Sequence, residues 1–125
     1  MHVVLHRPGD ATLYRYDPNE HGLRQLDASL DVMALRAAMH EVIDAPNATL
    51  LLFVAEPGMT ESKYENATSL VWRDAGVLLG MFSMAAEALS LNFSPMGVTG
   101  EPWASRLVPG ASLVGVGVAM VGGRA

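Results

Sequence analysis

The chain has no cysteine, which excludes disulfides, thiolate nucleophiles and cysteine-held zinc or iron–sulfur centres, and fits a reducing cytoplasm. Charge is also scarce, with 17% of residues charged and eight Lys and Arg set against thirteen Asp and Glu, a net −5 at pH 7. The few cations are scattered and form no run or stripe that could follow a polyphosphate backbone, so nucleic acid is not an expected partner. Long uninterrupted apolar runs are missing as well. The stretch after Leu70 is broken by Arg73, Asp74 and Glu87, which argues against a membrane span. The opening MHVVLHRPGD has no charged region followed by a long apolar one, and so does not read as a signal peptide. A soluble, cytoplasmic protein with no membrane partner is the expectation.

What is present is apolar surface. Half of the 125 residues are hydrophobic and mean hydropathy is +0.25, oily for one small domain. A chain of this length buries about two-thirds of its unfolded surface on folding. Part of the remaining apolar surface is expected to meet another chain.

Three short alternating runs open the sequence: His2 to His6, Thr12 to Tyr16 and Gly22 to Leu26, with turn residues Pro8-Gly9-Asp10 and Asp17-Pro18-Asn19 between them. They predict a β-meander. From Ser29 the period becomes helical, with Leu30, Met33, Ala34, Ala37, Ala38 and Val42 on one face and Asp31 in the first turn. Asp44 to Asn47 closes that helix. Ala48 to Ala55 is apolar at nearly every position, as a central strand covered on both sides would be. Thr68 to Leu91 predicts a long helix, apolar around most of its circumference and therefore interior or at an interface. Ala75, Gly76, Gly80 and Ser83 would let a partner helix approach closely, and glycine costs a helix up to about 1 kcal/mol relative to alanine, which suggests a packing reason. Beyond it come a short punctuated segment, Phe93 to Val98, a brief helix from Glu101 to Leu107 with Pro102 in its first turn, and a final strand from Ala111 to Val121. Gly115 and Gly117 in that strand mark a bulge or a close backbone contact.

Few residues carry an evident chemistry. Lys63 and Tyr64 follow a strand and precede the long helix, where rigid neighbours can hold loop side chains over a cleft. A lysine can serve as a base, and a neighbouring tyrosine can relay a proton or stabilise a developing anion. On spacing alone, an exposed lysine beside a packing tyrosine is the commoner case. The histidines, His2, His6, His21 and His40, show no metal-ligand spacing, so no metal is expected. No serine sits in a nucleophile elbow, and Gly115-Val116-Gly117 lies within a strand rather than opening a helix, so neither a serine hydrolase nor a dinucleotide fold is supported. Arg124, after two glycines, is either a phosphate ligand or a solvated terminal arginine.

Taken in order, these pieces resemble the C-terminal part of the nitroreductase superfamily, specifically the SagB/McbC-type FMN-dependent dehydrogenases that oxidise azoline rings in peptides. The likeness rests on Leu13-Tyr14-Arg15-Tyr16-Asp17-Pro18 with His21 and Leu23, on the Lys63-Tyr64 pair, on Ala75-Gly76 in the long helix, on Ser94-Pro95-Met96-Gly97, and on the closing Gly123-Arg124. It implies an α+β fold in residues 1–125, a single shortened domain with a mainly antiparallel sheet packed on a long central helix that forms the homodimer interface. It also implies FMN in a groove between subunits, Lys63 as base with Tyr64 as its hydrogen-bonding partner, Pro95, Met96 and Gly97 near the flavin, and Arg124 near its phosphate.

The sequence departs from that family in three places, one of them Ser90-Leu91-Asn92, which stands where the family commonly reads G-L-G after the helix. The basic phosphate-binding motif and small-residue loop that lie earlier in the family domain have no counterpart here, so the resemblance calls for a homodimer, or for a heteromer with a chain supplying that segment. In the long helix, where the family reads E-A-G-H-x-x-Q-N-L, Val77, Gly80 and Met81 replace the His, Gln and Asn. Two functions follow: a flavin-dependent oxidoreductase acting on a small-molecule or peptide substrate, with FMN held across an interface, or a flavin-free interaction subunit of a biosynthetic complex.

Overall fold

The computed structural model describes residues 1–28 and 30–124. Ser29, where the helical period begins in the sequence, lies outside the described residues. Among these residues six strands form one sheet: β1 (His2–His6), β2 (Leu13–Asp17), β3 (Gly22–Leu26), β4 (Thr49–Ala55), β5 (Leu91–Pro95) and β6 (Val114–Gly123). Their spatial order is β3-β2-β1-β4-β6-β5, and every neighbouring pair is antiparallel. Helix α1 (Val32–His40) lies against one face, and α3 (Ala67–Ala88), preceded by the short α2 (Pro57–Glu61), against the other.

β4 divides the core. Because side chains alternate along a strand, Leu50, Leu52 and Val54 enter the α1-side cluster with Val118 and Met120, while Leu51, Phe53 and Ala55 enter the α3-side cluster with Val71 and Ala75. Every residue from Leu50 to Ala55 is buried. Each fully buried Leu or Phe contributes about 2 kcal/mol of transfer free energy, which is why the uninterrupted apolar run sits in the middle of the sheet.

The register of β6 slips beside this strand. Phe53 pairs with Gly117 and Val54 with Gly115, leaving Val116 as the extra residue of a β-bulge. Gly115 is needed there, and Gly117 lies in close contact with α3, in line with the bulge or close contact that the sequence suggests. A Cβ at Gly115 would lie 2.5 Å from the Thr99 carbonyl oxygen and 2.9 Å from the Ala104 Cβ, and one at Gly117 would lie 3.1 Å from Leu79 Cδ1 of α3.

Helix α1 corrects the sequence reading. Asp31 is its N-cap rather than a first-turn residue, its Oδ1 accepting from the Met33 and Ala34 amides at 3.0 and 3.1 Å. The buried face is Leu35, Arg36 and Met39, and Met33, expected inside, is 65% exposed. Hydrophobic periodicity gives no reason to bury Arg36, because it counts a charge as solvent-facing. Instead its guanidinium donates to the carbonyls of His6 (3.3 Å), Ala45 and Pro46 (both 3.2 Å) and Ala48, and its Nε donates to His40 Nε2 at 3.1 Å. Those bonds tie α1 to β1 and to the loop before β4. Burial lowers the Arg36 pKa from its usual value. His6 is set in the same network: Nε2 donates to the Asp10 carbonyl at 2.7 Å, leaving Nδ1 as the acceptor facing Arg36.

The meander at the other end of the sheet is locked by its own turn. Asp17, 6% exposed, accepts from the Asn19 and Glu20 amides through Oδ1 at 2.9 and 3.3 Å, and its Oδ2 pairs with Arg24 across the hairpin. Tyr16 and His21 close the outside of the same turn at 2.8 Å. The Tyr-Arg-Tyr-Asp-Pro…His motif is therefore, in this protein, a hairpin-building motif.

At the far end, α3 stops three residues short of the expected Leu91. Ser90 takes a left-handed conformation (φ 57), which reverses the chain so that Leu91 opens β5 opposite Gly123. The expected helix from Glu101 to Leu107 is reduced to a single 3-10 turn, Ala104–Arg106.

Gly115→Ala is expected to lower stability by about 1–3 kcal/mol, because the new methyl meets backbone that cannot yield without moving the bulge. A denaturant midpoint unchanged from the parent would contradict the packing described. The Asp17 carboxyl is held below its ordinary value of 3.8, chiefly by the Asn19 amide and against a smaller opposing effect of burial, with Arg24 and Glu20 assisting. Its stabilisation is present above the unfolded value and is lost as pH falls through the folded one. Unfolding monitored from about pH 7 to about pH 2 should show a shallower acid limb in Asp17→Asn than in the parent; superimposable limbs would remove Asp17 as a contributor.

Candidate active site

Pro57 starts α2 immediately after Glu56 leaves the end of β4. The single turn of α2 ends with the Lys63 and Tyr64 amides both donating to the Thr60 carbonyl, at 3.0 and 3.1 Å. Asn66, in a left-handed conformation (φ 57), then redirects the chain into α3. Asn tolerates that region better than most residues. The result is an open cleft of about 610 Å³ whose lining includes Ala55, Glu56, Lys63, Tyr64, Val71 and Asp74. Lys63 and Tyr64 are both exposed at its rim.

The cleft has an apolar floor and a polar rim of both signs. Ala55 and Val71 supply buried carbon surface, and Lys63, Arg73, Glu56 and Asp74 also line the cleft. Glu56 also pairs with His2 Nε2. That ion pair could not be read from the sequence, because it depends on the β1–β4 register that sets His2 opposite Val54. The remaining histidines are dispersed: His6 and His40 on Arg36, and His21 on Tyr16. Among the described residues no group of three His, Asp or Glu could hold a metal ion, and no helix is long and apolar enough to cross a membrane.

The other candidate residues lie elsewhere. Pro95 ends β5 opposite Ala119. Met96 donates its amide to the Val118 carbonyl at 2.8 Å and packs its side chain against the α1-side core, and Gly97 follows, exposed. Arg124 lies at the opposite end of β5, where Nη2 donates to Glu87 Oε2 at 2.5 Å and to the Leu91 carbonyl at 3.3 Å. Glu87 is in the last turn of α3 and Lys63–Tyr64 just before its first. Since α3 has 22 residues, the helix separates the two by about 33 Å. One copy of the chain brings Lys63 and Tyr64 together but does not bring Arg124 to them.

Between those ends, α3 presents two faces. Val71, Ala75, Leu78, Leu79, Phe82 and Ala86 face the sheet, with the Phe82 ring edge-on to Phe53 at 5.2 Å. The outward face carries Val77 (58% exposed), Met81 (63%) and Met84 (75%), with Gly76 and Gly80 alongside, where an added Cβ would meet nothing. α3 packs on β5 and β6. Farther across the same side of the sheet, Leu23 is 48% exposed and Val3, Leu5, Tyr14 and Tyr16 are half-buried.

No protein-family model matches the sequence, and no curated protein matches it. Among solved structures, the chain is similar to a protein from Ralstonia eutropha JMP134 described as a "putative nitroreductase", with 21% identity and a TM-score of 0.69. The likeness covers 99% of this chain, which spans 58% of the length of that protein. The mainly antiparallel sheet flanked by helices is therefore a nitroreductase-like fold.

Proposed function

We propose that the chain is a flavin-dependent oxidoreductase of the SagB/McbC type, acting on azoline rings or a related peptide-derived substrate. Its FMN site would be completed across the interface with a second copy, or with a chain carrying the phosphate-binding segment. The observation that carries this reading is the layout of α3. The Lys63–Tyr64 cleft is at one end, Arg124 is at the other, and an unpartnered apolar stripe with two glycines lies between. A two-fold interface is self-complementary. Two copies of α3 packed antiparallel through that stripe would set Arg124 of each subunit beside the cleft of the other.

The cleft fits a flat aromatic ring, since its floor is apolar and one side is open. Within one copy the phosphate side is incomplete, because Arg124 is distant and already engaged by Glu87. When bound, FMN would accept hydride from the substrate. Lys63 would take the accompanying proton, Tyr64 would hydrogen-bond to it, and α3 of the partner subunit would exclude water. A flavin-free interaction subunit is the second reading. It is favoured by the Arg124–Glu87 pair and by the exposure of Val77, Gly80 and Met81, the positions where the related family carries polar residues.

Gly80→Leu separates association from folding, because the new side chain enters open space in the single subunit. We expect sedimentation to show a dimer for the parent and a monomer for the variant, with FMN affinity at least about tenfold weaker in the variant, a loss of about 1.4 kcal/mol. A parent that is monomeric, or a variant that stays dimeric, would reject α3 as the seam. Lys63→Ala should leave the unfolding midpoint unchanged and cut dehydrogenation of an azoline-containing peptide by about 10²-fold or more. Full turnover would remove Lys63 as base. A dimer that stays colourless with added FMN would instead establish the flavin-free reading.

A further inference from the structure

A separate cavity opens on the α1 side of the sheet, facing away from α3. It has a volume of about 220 Å³, and its lining includes Val4, Arg15, Leu26 and Val54 from the strands and Leu107 and Leu113 from the segment before β6. His2 and Glu56, joined to each other, complete one wall. A molecule of liquid water occupies about 30 Å³, so the space equals about seven waters and suits one small organic molecule.

Arg15 gives this cavity its chemistry. It is half-buried and, among the described residues, no hydrogen bond or ion pair engages its guanidinium. In the β2–β3 ladder it stands directly opposite Arg24, a like-charge arrangement that is unfavourable on a sheet surface. The nearby carboxylate does not resolve this, because Asp17 already serves Arg24 and two turn amides. An anion in the cavity would supply the missing countercharge, and a guanidinium binds a carboxylate through paired parallel hydrogen bonds. The apolar floor and wall call for a hydrocarbon body attached to that carboxylate. Glu56, also in the lining, disfavours a second negative charge.

We propose that this cavity is a binding site for a small monocarboxylate with an apolar body, held by Arg15 over Val4, Leu26 and Val54. The site lies on the opposite side of the sheet from α3, so it neither requires flavin nor depends on the oxidoreductase reading.

Benzoate and its uncharged counterpart benzamide are the probes, titrated into the isotope-labelled full chain and followed by amide chemical shifts. Benzoate should produce saturable shifts centred on Val4, Arg15, Leu26 and Leu113, with benzamide at least about tenfold weaker. Arg15→Met should weaken benzoate at least about tenfold and leave benzamide unchanged. Leu113→Trp, which fills the cavity from its loop side, should abolish both and gives an independent answer if the first variant folds poorly. Equal binding of the two probes, shifts centred elsewhere, or full benzoate affinity in Leu113→Trp would overturn the proposal.

Discussion

Burial of β4 on both faces is the constraint from which the rest of the architecture follows. A strand with apolar side chains at every position can lie only where both sides of the sheet are covered, so one helical layer must pack on each. α1 and the 3-10 turn cover one side and α3 the other. β6 runs beside β4 and carries glycine at the two positions where Thr99, Ala104 and Leu79 press closest. The bulge at Val116 is the accommodation that lets both faces remain filled.

The two layers are unequal. On the α1 side, Arg36 gathers the carbonyls of Ala45, Pro46 and Ala48 from the loop before β4 and that of His6 at the end of β1. A buried charge that satisfies four carbonyl oxygens acts as a structural brace, since each of those groups would otherwise be desolvated without a partner. On the α3 side a single helix covers β5, β6 and β4, and its outer stripe remains apolar. Val77, Gly80 and Met81 all fall on that stripe. A partner helix packed on that stripe would touch all three, which is why association and cofactor binding are linked in the proposed function.

The cleft at the start of α3 and the cavity beneath Arg15 share Glu56 but open on different sides of the sheet. The first joins a loop lysine and tyrosine to an apolar floor. The second joins to one a guanidinium that has no partner among the described residues. The first arises where β4 ends and the second over the middle of β1 and β2, and each sets polar side chains beside the core.

Local pattern determined much of this protein. The three-stranded meander, the buried middle strand, the long helix and the glycine bulge are legible because each depends on alternation, period or turn residues within a few positions of one another. Lys63 and Tyr64 share the rim of one cleft for a similar reason, since two adjacent residues between a strand and a helix need no fold to bring them together. Tertiary structure decided what depends on distant partners. Arg36 is buried because carbonyls from β1 and from the loop before β4 converge on it, His2 meets Glu56 only through the β1–β4 register, and Arg15 has no ion-pair partner among the described residues while Arg24 takes Asp17. Arg124 is separated from Lys63 because a rigid helix about 33 Å long stands between them. Periodicity records how one segment meets water or core, whereas a charge's partner is fixed by how separate segments pack.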